Sequence, residues 1–231
     1  MKLNLITVCT DQFPTIYVDK LIKKLKIVSD LDFVPYCITD RPKEVEHCAK
    51  PLKPPFKLKH WWNKMFLYSK LLPAGINIYM DLDIVIVKNF DAEIEFAVKK
   101  LSEGIFEIAC ISDCIRWKNN KFSSSFMIFQ TGKLNHIFEK FKNEYDYVYQ
   151  KDDGGDQVWT GPLLNEILYI DEHFPYLKKN LKFQIATMWD GQKLILPNFI
   201  SDKIKLIDCG GWPKPHEINN IPYIVENWQK I

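Results

Sequence analysis

Apolar runs and amphipathic stretches alternate along the first third of the chain. Three continuous apolar runs, rich in β-branched side chains, predict buried strands at residues 3–9, 33–38 and 77–87. Two stretches between them carry apolar side chains at helical spacing, over residues 17–28 and 61–72. Asp11 and Pro14 precede the first helix, and Pro73 ends the second. This alternation favours a mostly parallel sheet covered by helices.

The rest of the chain is less regular. Helical periodicity returns over residues 91–102 and 134–149. Short apolar segments predict further strands near residues 107–111, 125–130, 181–186, 193–196 and 204–207. Glycines and prolines predict a rigid loop over residues 209–215. Because neither a repeat nor a linker interrupts the pattern, residues 1–231 are predicted to form one domain with two lobes.

Two aspartates, Asp81 and Asp83, interrupt the third apolar run, NIYMDLDIVIV. Residues two apart on a strand point to the same face, so both carboxylates are predicted to project together. Such a pair is costly to bury, and a hard divalent ion such as Mg²⁺ or Mn²⁺ would neutralise it through oxygen ligands. The natural second partner of that ion is a phosphate or a diphosphate. The alternative is that each carboxylate finds a separate arginine or backbone amide.

Polar residues also follow the two earlier predicted strands. Thr10 and Asp11 come after the first, and Thr39 and Asp40 come after the second. Ligands of open parallel sheets bind at the carboxyl ends of the strands. We therefore expect these residues and the aspartate pair to share one site.

Composition narrows the choice of partner and compartment. The chain has 31 Lys and Arg against 29 Asp and Glu, a net charge of +2, which gives no electrostatic case for nucleic acid as the main partner. The six cysteines are scattered without a CxxC pair, so we predict buried free thiols rather than a zinc site. No apolar run approaches the ~20 residues that span a bilayer. A soluble, cytoplasmic protein is predicted, with peripheral membrane contact left open.

Several motifs occur in an order that resembles one enzyme family. IYMDLD resembles the DxD motif of glycosyltransferases with the GT-A fold. The preceding WWNKMFLY resembles the helix before that motif, in which a basic residue reaches the sugar or the diphosphate, and this makes Lys64 a candidate. The sequence Gly155-Asp156-Gln157 resembles the acidic element of glycogenin-like and lipopolysaccharide galactosyltransferase-like enzymes, which form glycosyltransferase family eight.

The segment DCGGWPKPH near the end of the chain resembles the HxxGxxKPW segment of the same family. Gly211 and Lys214 fall in register, which implies close backbone approach to a phosphate and a positive charge on the diphosphate. Two positions depart from the pattern. Asp208 stands at the metal-binding histidine, and His216 stands at the closing tryptophan. We expect Asp208 to be a third metal ligand; as a strand-end cap it would leave the ion to the DxD pair alone.

The resemblance implies an α/β protein, a GT-A-like and Rossmann-like three-layer sandwich with a mostly parallel central sheet. About residues 1–100 would hold the nucleotide-sugar, and about residues 101–231 would form a less regular acceptor side. The implied reaction is metal-dependent transfer of a sugar from a nucleotide-sugar, most simply UDP-linked, to a carbohydrate or glycoconjugate acceptor. Further donor contacts are implied for Val8, Thr10, Asp40 and Ser125.

Asp156 and Gln157 are the catalytic candidates. If transfer retains the configuration, Gln157 is only a weak nucleophile and a front-face route assisted by the leaving phosphate follows. If transfer inverts it, Asp156 becomes the general base. Asp156 is also suited to cap the helix predicted after it.

Two other hypotheses fit parts of the sequence. The DLDIV segment also matches the start of haloacid-dehalogenase-like phosphatases, in which the first aspartate is a nucleophile. That motif belongs on a first core strand, whereas two strand–helix units precede it here. The departures at Asp208 and His216 also allow a sugar-binding module that keeps the fold without the chemistry.

Overall fold

The computed structural model describes residues 2–10, 13–115, 120–151, 155–189 and 194–231. Twelve strands are described, namely β1 (Lys2–Cys9), β2 (Asp32–Thr39), β3 (Lys50–Leu52), β4 (Ile76–Met80), β5 (Ile84–Ile86), β6 (Ile108–Ser112), β7 (Phe122–Gln130), β8 (Ile167–Tyr169), β9 (Lys178–Asn180), β10 (Met188–Trp189), β11 (Leu194–Ile195) and β12 (Leu206–Asp208). The α-helices are α1 (Ile16–Val28), α2 (Pro42–Val45), α3 (Asp91–Ser102), α4 (Asn135–Lys151), α5 (Gly155–Thr160), α6 (Ile170–His173) and α7 (Pro222–Ile224). Tighter 3₁₀ turns cover His60–Tyr68, Gly161–Leu163 and Pro215–Glu217, and wider π turns cover Leu181–Ile185 and Val225–Gln229.

Seven strands form the central sheet, in the order β3-β2-β1-β4-β7-β6-β8. Strand β7 runs antiparallel to β4 and β6, and the other pairs in this sheet are parallel. The predicted mostly parallel sheet is therefore confirmed. A smaller sheet, β5-β12-β9, lies beyond the carboxyl end of β4, and β10 and β11 pair as a two-stranded antiparallel sheet.

Alternation along the strands divides the core between the two faces of the sheet. On β4, Ile78 and Met80 belong to one apolar cluster and Tyr79 belongs to the other. The first cluster also contains the buried faces of α1 and α3, and the second contains the His60–Tyr68 turn and α4. The arrangement is three layers, helix–sheet–helix, because each face of the sheet needs an apolar cover.

Truncation of a core aromatic residue provides a test of this packing. Phe126 on β7 is fully buried, with its ring centroid 6.1 Å from that of Phe90. Phe126→Ala is expected to lower the free energy of unfolding by about 3–5 kcal/mol, through lost burial and a residual cavity. Phe199→Ala is the control, since Phe199 is 85% exposed and its loss should change that free energy by less than about 0.5 kcal/mol. Urea denaturation measures both; equal losses would contradict the layer assignment.

Three predicted elements differ from the structure. The predicted strand 77–87 is broken: β4 ends at Met80, a turn follows, and β5 joins the smaller sheet. The predicted strand 181–186 is a π turn, whose first amides are capped by the Asn180 side chain at 3.0 and 3.2 Å. The predicted helix 61–72 is a 3₁₀ segment that ends at Tyr68. In the described residues, no helix has the length and apolar character needed to cross a membrane.

Candidate functional site

The Asp81-Leu82-Asp83 turn connects the two sheets. The Asp81 amide still bonds to the Ser125 carbonyl on β7 at 2.9 Å, and the Ile84 amide then bonds to the Asp81 carbonyl at 3.2 Å, which closes the turn. The Asp83 carbonyl accepts from the Cys209 amide at 3.1 Å. The prediction that both carboxylates share one strand face is therefore wrong in its local geometry, although both do lie at the carboxyl end of β4.

The Asp81 carboxylate is paired with a lysine from the 3₁₀ segment. Lys64 Nζ lies 2.8 Å from Asp81 Oδ1 and 2.9 Å from Oδ2, and the Tyr79 hydroxyl also donates to Oδ1. Burial raises the pKa of Asp81, an effect that the Lys64 charge opposes. Burial lowers the pKa of Lys64, but the charges of Asp81 and Asp156 outweigh it and raise the pKa overall.

The Asp83 carboxylate is paired with the lysine of the C-terminal loop. Lys214 Nζ donates to Asp83 Oδ2 at 2.5 Å and lies 4.8 Å from the centroid of the Phe13 ring. Burial and the neighbouring Asp81 charge raise the pKa of Asp83, and Lys214 opposes them. Gly211 in the same loop has φ +78°, a left-handed backbone conformation that favours glycine.

The Asp208 carboxylate, at the end of β12, also has a lysine partner. Lys178 Nζ on the adjacent strand β9 donates to Asp208 Oδ2 at 2.6 Å and to Ser125 Oγ at 2.8 Å. The Gly210 amide donates to Asp208 Oδ1 at 2.8 Å. Burial alone would raise the pKa of Asp208, but Lys178 reverses the direction and lowers it.

A cavity of about 530 Å³ opens beside these pairs. Six residues predicted from the sequence line it, namely Lys64, Asp81, Ser125, Asp156, Gln157 and Asp208. Asp156 is 5% exposed and lies in the first turn of α5, and its Oδ2 has no hydrogen-bond partner in the described part of the chain. Gln157, in contrast, has both ends of its amide engaged: Nε2 donates to Asp113 Oδ2 at 2.8 Å, and Oε1 accepts from the Ser124 amide at 3.3 Å.

Three residues predicted to contact the nucleotide, Val8, Thr10 and Asp40, are not among those that line this cavity within the described ranges. The Thr10 carbonyl accepts from Arg41 at 2.6 Å, and the exposed Asp40 lies 3.7 Å from the same guanidinium. Asp11, which is predicted to share one site with them, lies outside the described residues. His216 is exposed, as its departure from the family pattern suggested, and its ring contacts the Tyr17 hydroxyl.

Some cavity residues were missed in the sequence. Asp113 lines the cavity and directly follows β6. Polar residues directly after a strand are candidates for ligand binding, so Asp113 could have been predicted in the same way as Asp81. Lys182 and Phe183 lie in the π turn over a segment that the sequence pattern predicts to be a strand, and Asn180 caps that turn from the end of β9. Lys178 carried no motif, because only the pairing of β9 with β12 brings it to Asp208.

No protein-family model and no curated protein matches the sequence. Solved structures do match. The galactosyltransferase LgtC, determined in complex with donor and acceptor sugar analogues, aligns with a TM-score of 0.65 at 12% identity, over 99% of this chain and 96% of that one. The chain has the GT-A fold. The glycosyltransferase GlyE of Streptococcus pneumoniae TIGR4 aligns with a TM-score of 0.62 at 11% identity, over 98% of this chain and 61% of that one. The bifunctional glycosyltransferase WbbM gives 0.59 at 9% identity, over 97% and 49%.

The shared GT-A fold confirms the predicted family resemblance for the fold. Whether this chain can bind a metal ion depends on its own side chains. Asp81 and Asp83 carry the carboxylate oxygens that Mg²⁺ and Mn²⁺ take, and each is held by a lysine on its cavity or loop side. Among the described residues, these two and Asp208 do not bring three ligand atoms within 4.8 Å of one another, whereas the Asp19, His47 and Cys48 side chains do. The lysines that hold the DxD pair are 15% and 28% exposed and can turn away from a hard ion. Lys178, which holds Asp208, is only 7% exposed. The DxD pair therefore fits a hard ion better than Asp208 does.

Proposed function

We propose that the chain is a glycosyltransferase that moves a sugar from a nucleotide-sugar, with UDP as the expected nucleotide, to a carbohydrate acceptor. The observation that carries this proposal is Asp156, which lines the cavity together with Lys64 and Asp81 and whose buried Oδ2 has no hydrogen-bond partner among the described residues. A buried carboxylate oxygen without a partner is costly unless a ligand supplies one. A sugar hydroxyl is a donor of the right kind.

The lysines supply positive charge where a diphosphate would lie. Lys64 and Lys214 come from different segments and meet at the two carboxylates of the DLD turn. A divalent ion held by Asp81 and Asp83 would add Lewis-acid stabilisation of the charge on the departing diphosphate. Lysine ammonium groups act on phosphates as point charges, so both side chains can stabilise the leaving group by a short movement.

Asp156 is the better candidate for contact with the reacting hydroxyl. Asp156 lines the cavity and its Oδ2 has no partner among the described residues, whereas the Gln157 amide is held by Asp113 and the Ser124 amide. During transfer, the bond between the anomeric carbon and the phosphate oxygen breaks, a bond to the acceptor oxygen forms, and the acceptor hydroxyl loses its proton. Asp156 is positioned to orient that hydroxyl or to accept the proton.

The fold argues against the phosphatase hypothesis. The DLD turn follows β4 in the middle of a sheet whose neighbour β7 is antiparallel, and the matching solved structures are glycosyltransferases. LgtC was solved with donor and acceptor sugar analogues, which supports, for this chain, a cavity that takes both substrates. A cytoplasmic location stays a prediction.

Incubation with UDP-, GDP- and ADP-hexoses in the presence of Mn²⁺ tests the proposal, with the released nucleoside diphosphate measured. Release from one donor class, accelerated by an oligosaccharide acceptor, is the expected outcome. Hydrolysis of an aryl phosphate without such release would favour the phosphatase. Binding of a nucleotide-sugar without any turnover would favour the sugar-binding module.

A further inference from the structure

The carboxylate of Asp208 has a protein donor at each of its two oxygens. Its Oδ2 accepts from Lys178 Nζ at 2.6 Å, and its Oδ1 accepts from the Gly210 amide at 2.8 Å. The side chain of Asp208 is 12% exposed and that of Lys178 is 7% exposed. The lysines at the two DxD carboxylates are 15% and 28% exposed, so Lys178 is the one least free to turn away and admit an ion. In a pair so deeply buried, each charge depends on the other for its stability.

The strand pairing makes this contact a built feature. In the parallel register of β9 and β12, Lys178 lies opposite Leu206 and Asn180 lies opposite Asp208. Residues two apart share a face, so Lys178 reaches Asp208 from the side of the small sheet where Asn180 also lies. The ammonium then extends across to the central sheet and donates to Ser125 Oγ on β7 at 2.8 Å.

We infer that the Lys178 ammonium neutralises Asp208 in place of a divalent cation. A metal ion at this site would then have Asp81 and Asp83 as its carboxylate ligands, without Asp208. The part of this inference that concerns the metal and the nucleotide rests on the proposed function. The pairing of Lys178 with Asp208 does not depend on that function. Lys178 is a positioning residue, since its partners Asp208 and Ser125 line the cavity and it does not.

Two consequences follow for the chemistry of the site. Mg²⁺ demands six ligands and Mn²⁺ behaves similarly, so two carboxylates leave positions that a diphosphate and water must complete. Ser125 Oγ accepts a hydrogen bond from Lys178, so its own hydroxyl proton is donated to a different acceptor. It can pass to Ser123 Oγ at 3.0 Å or to a ligand in the cavity.

The pair is tested first on the metal-free protein in EDTA. Lys178→Met leaves Asp208 buried and unpaired and is expected to lower Tm by about 10 °C. Adding Asp208→Asn, which keeps an acceptor for the Gly210 amide but removes the charge, should restore at least half of that loss. Lys23→Met is the control, because Lys23 is 57% exposed in its pair with Asp19 and should shift Tm by less than about 2 °C. A double variant that loses the sum of the two single losses would overturn the pairing.

The metal ligands are tested by calorimetric titration of Mn²⁺ with UDP present in excess. Asp208→Asn is expected to change the Mn²⁺ dissociation constant by less than about threefold, and Asp83→Asn to weaken it by at least about tenfold. Equal weakening by the two variants would make Asp208 a ligand and overturn the inference. If neither UDP nor Mn²⁺ binds the wild-type chain, the proposed function fails, and the melting temperatures still decide whether Lys178 and Asp208 form the pair.

Discussion

Asp156→Asn is expected to lower kcat for sugar transfer by about 10²- to 10⁴-fold, the range over which a positioned general base contributes. Asn keeps the shape of the side chain and one carbonyl oxygen, but it cannot accept a proton at neutral pH. Because Asp156 Oδ2 has no partner among the described residues, the substitution breaks no hydrogen bond at that atom. Tm should therefore stay within a few degrees of wild type while turnover collapses. Steady-state release of the nucleoside diphosphate measures the effect.

Asp19→Asn is the matched control for this variant. Asp19 is 8% exposed, close to the 5% of Asp156, and it pairs with Lys23 on α1 instead of lining the cavity. Its replacement should leave kcat within about twofold. If Asp156→Asn retains most of the wild-type kcat, the substrate hydroxyl is not at Asp156, and the assignment of the reacting end of the cavity is wrong.

Asp83→Ala is expected to reduce turnover of the donor by roughly 10³-fold, which corresponds to about 4 kcal/mol at 1.36 kcal/mol per tenfold change. The substitution removes one of the two carboxylates proposed to hold the metal ion and releases Lys214 from its 2.5 Å contact. The loss should appear in kcat/KM at low Mn²⁺ and should shrink as Mn²⁺ is raised, because a weakened site can be filled by mass action.

This dependence on Mn²⁺ separates Asp83→Ala from the variants that act on the reacting hydroxyl. Asp156→Asn should not respond to added Mn²⁺, and Asp19→Ala should resemble wild type at every Mn²⁺ concentration. Full activity of Asp83→Ala in EDTA would show that the lysines alone stabilise the diphosphate, and would remove the metal from the proposed function.

Local patterns in the sequence were sufficient to predict the strands and helices that form the layers of the fold. The runs at residues 3–9 and 33–38 became β1 and β2, and the predicted helix 91–102 is α3 with the same bounds. The two strands have apolar neighbours on both faces of the sheet, and the helix buries one face along its length. Their hydrophobic patterns in the sequence are therefore strong. The motif order then drew attention to Lys64, Asp81, Asp156 and Gln157, which the fold does bring to one cavity.

The features that the sequence did not predict correctly depend on contacts between segments that are distant in the chain. The DLD turn looks like continuous strand because β4 and β5 are both apolar, and only their membership of different sheets shows the break. Lys178 lies 30 residues from Asp208 and meets it through strand pairing alone. Residues 181–185 contain apolar side chains without a clear period, and the Asn180 cap decides for the turn. Tertiary partners of this kind override local preference.

The central claim is that this cavity transfers a sugar from a nucleotide-sugar, and its most direct measurement is acceptor-dependent release of a nucleoside diphosphate from a panel of nucleotide-hexoses with Mn²⁺. We predict that one donor, UDP-linked, is turned over by the wild-type chain. Asp156→Asn should lower the release by at least about 10²-fold, and Asp19→Asn should leave it within about twofold. Absence of release from every donor by a folded wild-type chain, or equal release by the two variants, would contradict the claim.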